Sequence, residues 1–146
     1  MPVTDDEIAV LRAYLSENQA LQQELQARLV SPAARSRYAT FVAAAFFEAV
    51  DRRFAGRGTV ADVIAFVADA RARSDRAAES IDPQAAERLI RAGLTDEDVS
   101  DLDTETKGRL FIVLLAALVS DEHFSGDELD AFLAEARKTA DGWLSK

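Results

Sequence analysis

The stretch that decides the fold is Leu110–Val119, which reads Leu-Phe-Ile-Val-Leu-Leu-Ala-Ala-Leu-Val and is ten apolar residues long. A helix that spans a bilayer needs about 20 such residues, so this run predicts a core helix. Because the run is apolar on every side of a helix, we expect it to be buried on every side. The segment Tyr38–Val50 is apolar over more than half its circumference. The sequence therefore predicts two central helices, at 38–50 and 110–119.

Composition limits the function classes. The chain has 146 residues with 26 acids against 17 bases, a net charge of −9, no cysteine and one histidine. This length predicts one domain, 1–146. The acidic balance argues against nucleic acid as a partner, because phosphate contacts need a basic face. The acidic start at Met1–Glu7 does not resemble a signal peptide and, with the absence of a long apolar segment, predicts a cytoplasmic protein with no membrane partner.

Helix-capping motifs indicate where the helices of the chain begin. Thr4-x-x-Glu7 and Ser125-x-x-Glu128 are capping boxes, and Ser31-Pro32 and Asp82-Pro83 each place a cap before a proline. No segment alternates between apolar and polar residues as a half-buried strand does, so we expect no sheet. The caps predict an all-α, compact bundle of about six helices, at 5–30, 32–55, 60–77, 83–92, 104–120 and 126–143, with a short helical turn near 96–101. Outer helices have one apolar stripe each, such as Val60, Val63, Ile64 and Val67.

The region 121–128 has the densest group of metal-ligating side chains. The candidate ligands are Asp121, His123, Asp127 and Glu128. A calcium loop has oxygen ligands at its first and fifth positions, glycine at its sixth and a bidentate glutamate at its last. Asp121 and Gly126 fit this pattern, but Phe132 stands where the final glutamate belongs. We therefore interpret the region as a capped link between two helices and expect neither a metal nor another cofactor.

The same region resembles the TerB-like tellurite-resistance family, which is all-helical. That family has an Asp-Gly-x-Ile-Ser/Asp-x-x-Glu pattern between two helices. Here Asp121, Phe124, Ser125 and Glu128 occupy the matching positions, and Glu122 stands where the family has glycine. The resemblance is confined to this stretch. It implies a helical fold, and we carry no metal site over from it.

Signals of catalysis and of anion binding are weak. The chain has no Gly-x-Ser-x-Gly elbow and no Glu-x-x-His pair, so an enzyme is not expected. The link Gly56-Arg57-Gly58-Thr59 precedes a helix start, where free N–H groups can hold a phosphate. The end of one helix followed by the cap of the next explains the same glycines.

The first predicted helix has a heptad seam with a polar centre. Its members are Ile8, Leu11, Leu15, Asn18, Gln22, Leu25 and Leu29. Buried polar residues in such a seam weaken a coiled coil but can fix its register. The segment is therefore either a self-association or partner helix, with Leu11, Leu15, Asn18, Gln22 and Leu25 as candidates, or an outer helix whose polar section meets solvent.

Charge is unevenly distributed. Residues 31–60 have five arginines against two acids, a net charge of +3, and residues 93–106 have six acids and no base, a net charge of −6. The acidic stretch is either a solvated link or a patch that attracts a basic partner. Its partner-binding candidates are Asp96, Glu97, Asp98 and Asp101.

The sequence leaves three functions open. The first, which we expect, is a non-enzymatic protein-interaction or regulatory module that forms a homodimer through the first helix or the acidic link. The second is a bundle that binds a small apolar ligand between the central helices. Five phenylalanines are its candidate walls: Phe41, Phe46, Phe47, Phe66 and Phe111. The third is a metal-binding protein or enzyme centred on residues 121–128.

Overall fold

The computed structural model describes residues 2–54, 59–95 and 97–146, which form eight helices and no strand. The helices are α1 (Asp5–Leu15), α2 (Gln19–Gln26), α3 (Pro32–Phe54), α4 (Val60–Ala72), α5 (Asp75–Ser80), α6 (Pro83–Thr95), α7 (Thr104–Glu122) and α8 (Gly126–Leu144). The prediction of an all-α fold is confirmed. The predicted number of about six helices is too low, because two of the predicted helices are each divided.

The predicted caps form at the predicted positions. The Ala34 N–H donates to Ser31 Oγ at 3.0 Å, and the Ala85 N–H donates to the Asp82 carboxylate at 2.9 Å. At the start of α8 the Ser125 N–H donates to Glu128 Oε1 at 2.9 Å, while the Glu128 N–H donates to Ser125 Oγ at 3.2 Å. Local sequence chemistry therefore fixes where these helices begin.

The first predicted helix, 5–30, is not continuous. Glu17 adopts a left-handed conformation with φ of 59°. The Glu17 N–H donates to the Tyr14 carbonyl at 3.1 Å and the Asn18 N–H to the Ala13 carbonyl at 3.0 Å, which is the Schellman arrangement that ends helices. Asn18 then caps α2 by accepting from the Leu21 N–H at 3.2 Å. The prediction of one uninterrupted heptad seam is therefore wrong.

The second division separates α4 from α5. Ser74 caps α5 by accepting from the Ala77 N–H at 3.0 Å, so the helix predicted at 60–77 ends earlier than expected. The Arg71 guanidinium donates to the Ile81 and Ala78 carbonyls at 3.0 and 3.2 Å. These bonds satisfy carbonyls that the end of α5 leaves without helical partners.

The helical turn predicted near 96–101 is found only in part. Residue 96 lies outside the described residues and 97–99 are not helical, but the Leu102 N–H donates to the Val99 carbonyl at 3.0 Å and closes a single turn. Helix α6 instead continues through Gly93, where we expected it to end, to Thr95. A Cβ atom at Gly93 would lie 2.8 Å from Phe47 Cδ1. This glycine therefore permits close packing of α6 on α3 and does not act as a helix terminator.

Helix α3 is the centre of the bundle and packs against α1, α6, α7 and α8. The second predicted central helix, in α7, is buried on one side only. Its buried members are Leu110, Leu114, Leu115, Leu118 and Val119. Its half-buried members are Phe111, Ile112, Val113, Ala116 and Ala117. The expectation of burial on every side is wrong, because the surrounding helices leave one apolar face of α7 partly uncovered. In the described ranges, no helix is both long and apolar enough to cross a membrane.

The apolar stripe predicted on α4 only partly matches the face that the helix buries. Val63 and Val67 are buried as expected, together with Phe66 and Ala70. Val60 and Ile64 remain 59% and 47% exposed. Because α4 packs against α5 and α6, its buried face turns toward Phe66 and leaves Val60 and Ile64 in solvent.

The segment before α1 is fixed to α8. The Val3 N–H donates to Asp141 Oδ1 at 2.8 Å, and the Arg137 guanidinium donates to the Val3 carbonyl at 2.8 Å. The Val3 side chain is fully buried. These contacts join residues that are 138 and 134 positions apart in the sequence.

Candidate functional site

A groove lies over the half-covered face of α7. We call it the α7 groove; it has a volume of about 520 Å³. Gly108, Phe111 and Ile112 of α7 form its floor, and Tyr38 and Val42 of α3 form one wall. Its other lining residues are Tyr14, Gln22, Gln26, Ala39, Thr104 and Lys107. Binding sites for small molecules are typically about 300–1,000 Å³, so the α7 groove is within their range.

The spacing of the floor residues explains why one helix can provide them. Thr104, Lys107, Gly108, Phe111 and Ile112 follow the i, i+3, i+4, i+7 and i+8 positions of a single helical face. The face is polar at the start of α7 and apolar further along. The missing side chain at Gly108 deepens the floor, because nothing lies within 4 Å of the position that a Cβ would occupy there.

The two tyrosines of the α7 groove are neutral phenols. Burial raises the pKa of both Tyr14 and Tyr38 above the ordinary value of 10.0, and the effect is larger for Tyr38. The charge of an ionised Tyr14 would raise the pKa of Tyr38 further. Neither phenol therefore carries a negative charge near neutral pH, and Lys107 is the only charged residue among the described residues that line the groove.

Helix α2 forms one edge of the α7 groove and is weakly anchored. None of its residues is buried. Leu25 is half-buried against a small cluster that contains Val10 and Leu29, and Leu21 is 41% exposed. Elements with few buried apolar contacts open at low free-energy cost, so this edge can move more easily than the floor.

A second cavity adjoins the α7 groove. It has a volume of about 680 Å³ and shares Tyr14 and Gln22 with the groove. Its lining includes Val113 of α7, with Arg76 and Arg109. Val113 lies on a different side of α7 from Gly108 and Phe111, so the two cavities contact different faces of the helix and are linked through Tyr14 and Gln22.

The structure brings together three of the five predicted phenylalanine walls. The ring centroids of Phe46, Phe47 and Phe111 lie 5.0–5.8 Å apart. Phe41 is fully buried, and Phe66 packs elsewhere against Phe54 at 5.9 Å. Of the five, only Phe111 lines the α7 groove.

Most residues that define the α7 groove were not predicted. Tyr14, Tyr38, Gly108 and Lys107 have no motif that marks them as ligand contacts. The available signal was the placement of Lys107 and Gly108 on the same helical face as Phe111, at the end of an apolar run.

The partner candidates on the first predicted helix do not form one surface. Leu11 is fully buried and Leu15 is half-buried, both against the main core. Asn18 is the cap of α2, while Leu25 packs on a different cluster. Gln22 alone of the five candidates lines the α7 groove.

The acidic candidates are held by arginines of α6. Arg88 donates to both carboxylate oxygens of Asp101 at 2.6 and 2.8 Å, and these bonds lower the pKa of Asp101 to about 2. The Arg91 Nε donates to Glu97 at 2.9 Å. The Asp98 carboxylate accepts from the Ser100 N–H at 2.9 Å. Asp96 lies outside the described residues, as does the Gly56-Arg57-Gly58 part of the possible anion site.

The candidate ligands at 121–128 are engaged separately. Asp121 forms ion pairs with Arg53 and Arg73 at 3.1 and 2.7 Å. His123 ends α7 in a left-handed conformation, Glu128 caps α8, and the Asp127 side chain is exposed. In the described parts of the chain, no three histidine, cysteine, aspartate or glutamate side chains converge in a way that could hold a metal ion.

Comparisons with known proteins give no assignment. No family model matches the sequence, and no significant match is found among curated proteins or solved structures. The short TerB-like resemblance therefore gains no support from them. Any functional argument rests on the geometry described above.

Proposed function

We propose that the chain binds a small apolar or amphipathic molecule in the α7 groove. The observation that supports this proposal is the pair of half-buried apolar residues Phe111 and Ile112, which line a groove of ligand size. A helix that is apolar on all sides gains free energy when its uncovered face leaves water, at about 25 cal/mol per Å². A ligand on Phe111 and Ile112 would supply that burial.

The polar groups around the floor support the same function. Small-molecule sites combine apolar walls with a few polar groups that orient the ligand. In the α7 groove these groups are the two phenols, the amides of Gln22 and Gln26, and Lys107. The weak anchoring of α2 provides a side from which a ligand can enter.

A matched pair of glycine variants tests the proposal. N-phenylnaphthylamine, a neutral apolar dye, should fluoresce when it binds the wild-type chain. Gly108→Leu places a side chain in the α7 groove and should weaken dye binding at least about tenfold, since it fills the space that the ligand needs. Gly142→Leu adds the same side chain to open space on α8 and should leave dye binding unchanged.

The two variants must first be shown by circular dichroism to keep the helical content of the wild type. Absence of dye binding by the wild type, or equal binding by the two folded variants, would contradict the proposal.

Self-association is a second candidate function, and the exposed apolar face of α4 favours it. Val60 and Ile64 are largely exposed, and the exposed Ala61, Ala65 and Ala68 lie on or beside the same face. We propose that the chain forms a homodimer through this face of α4. The first helix and the acidic link fit less well, because Leu11 is buried in the core and Glu97 and Asp101 are held by arginines of α6.

Light scattering after gel filtration tests this second candidate. The wild type should behave as a dimer, while Ile64→Gln should shift it toward monomer. Val30→Gln, at an exposed apolar residue outside α4, should leave the oligomeric state unchanged. A monomeric wild type at high concentration would exclude the dimer.

The cytoplasmic location and the absence of nucleic-acid partners remain predictions from the sequence.

A further inference from the structure

We propose that the ligand of the α7 groove is an amphipathic monoanion, a hydrocarbon chain with one carboxylate, whose head group is bound by Lys107. This inference rests on the proposed function and specifies its ligand class. It follows from the distribution of charge around the uncovered face of α7.

The α7 groove is electrostatically unlike the rest of the chain. The chain has a net charge of −9, but the groove lining contains one ammonium group and no carboxylate. In the adjoining cavity Arg76 and Arg109 outnumber the single acid, Glu17. Among the described residues, none of these three cations has an ion-pair partner within 4.0 Å. A positive site surrounded by an acidic surface selects an anionic ligand.

The acids nearest to Lys107 are engaged by other groups. Asp101 is bound by Arg88, and the Asp103 carboxylate caps α7 by accepting from the Thr106 N–H at 2.6 Å. The charge of Lys107 also lowers the pKa of both acids, after these hydrogen bonds. Neither acid lines the α7 groove, so the Lys107 ammonium remains available on the groove side.

The other polar groups are compatible with one negative charge. Tyr14 and Tyr38 keep their protons near neutral pH and do not repel a carboxylate. Gln22 and Gln26 have amide N–H donors but no charge. A single ammonium matches the single charge of a carboxylate, whereas a phosphate monoester at pH 7 has up to two negative charges.

The apolar floor accommodates the hydrocarbon part of the ligand. From Thr104 to Ile112 the floor extends about 12 Å along α7, at about 1.5 Å per residue. Its polar end lies at Thr104 and Lys107, and its apolar end lies at Phe111 and Ile112. This polarity places the head group at Lys107 and the hydrocarbon chain against Phe111 and Ile112.

Competition with the bound dye tests the ligand class. Dodecanoate and dodecanol have the same chain length and differ in the head group, and both are used below their micelle-forming concentrations. Dodecanoate should displace N-phenylnaphthylamine from the wild type at about a fivefold lower concentration than dodecanol. Lys107→Gln should abolish this preference, which is measured as the ratio of the two displacing concentrations in the same variant and so does not depend on how tightly the dye itself binds.

A second lysine provides the control. Lys138→Gln removes the same charge from an exposed position on α8 and should keep the preference for dodecanoate. High salt should reduce the preference in the wild type, because the ammonium is partly exposed. If both compounds displace the dye equally, or if Lys107→Gln keeps the preference, the carboxylate proposal is wrong while the proposed function stands. If the dye does not bind the wild type, both are wrong.

Discussion

The Arg37 guanidinium of α3 lies against the buried carboxylate of Glu7 in α1, with 2.7 Å between Arg37 Nε and Glu7 Oε1. Glu7 is only 1% exposed and is the one buried charged residue in the described part of the chain. Its carboxylate also accepts from the Thr4 N–H at 3.3 Å and from the Thr4 hydroxyl. The ion pair therefore joins α1 to α3 while the same carboxylate caps α1.

Replacing this carboxylate should destabilise the bundle. Glu7→Ala leaves the Arg37 guanidinium, whose side chain is 13% exposed, without its partner. We expect the free energy of unfolding to fall by about 3 kcal/mol, as found when one member of a buried ion pair is removed. Asp6→Ala, at an exposed neighbouring position, should change it by less than about 0.5 kcal/mol. Urea denaturation measures both, and equal effects would contradict the assigned role of Glu7.

The same ion pair should make stability depend on pH. Burial raises the pKa of Glu7, but the hydrogen bonds from Thr4 and Arg37 and the charge of Arg37 lower it by more, so the pKa lies below 4.5. A lowered pKa in the folded state contributes stability that is complete above the unfolded pKa and is lost as the pH falls through the folded pKa. Between pH 7 and about pH 3 the wild type should therefore lose more stability than Glu7→Gln. If the free energy of unfolding falls equally with pH in the two proteins, Glu7 does not contribute to the pH dependence of stability.

Glycine-to-alanine substitutions should have opposite effects in α6 and α7. Gly93→Ala places a Cβ 2.8 Å from Phe47 Cδ1 and should lower the free energy of unfolding by about 1–3 kcal/mol. Gly108→Ala places its Cβ in open space and should raise it by about 0.5–1 kcal/mol, because alanine favours the helix. Thermal unfolding of the two variants shows whether each substitution raises or lowers the free energy of unfolding. Stabilisation by Gly93→Ala would show that α6 and α3 are not as closely packed as described.

Glutamate-to-glycine substitutions should also differ in sign. Glu17 has a positive φ of 59°, which is unfavourable for a residue with a Cβ. Glu17→Gly should therefore raise the free energy of unfolding by about 0.5–1 kcal/mol. Glu24→Gly, inside α2, should lower it by about as much. If both variants are destabilised equally, α1 and α2 form one continuous helix as the sequence first suggested.

The sequence predicts the parts of this fold that depend on neighbouring residues. Ser31, Asp82 and Ser125 cap helices at the predicted positions because the groups involved lie three residues apart. The division after Leu15 was missed, because a left-handed glutamate has no strong sequence signal. Asn18, which we placed in a heptad seam, was the available indication of a cap.

The parts that depend on distant residues could not be predicted. Stripes on single helices do not show how many neighbours surround α7, so its uncovered face was not foreseen. Arg88 reaches Asp101 across thirteen residues, and this pair makes the acidic stretch a fixed link. Of the α7 groove, the sequence indicated only Phe111 and Gln22, each for a different reason.

The contacts of Val3 with Asp141 and Arg137 have a consequence for synthesis on the ribosome. A nascent chain emerges at about 5–20 residues per second, and early segments begin to fold before later ones exist. Val3 is among the first described residues to emerge, but both partners of its backbone lie in α8, the last helix. The N-terminal segment therefore stays undocked, and the face of α3 that packs on α8 stays uncovered, until α8 has left the exit tunnel.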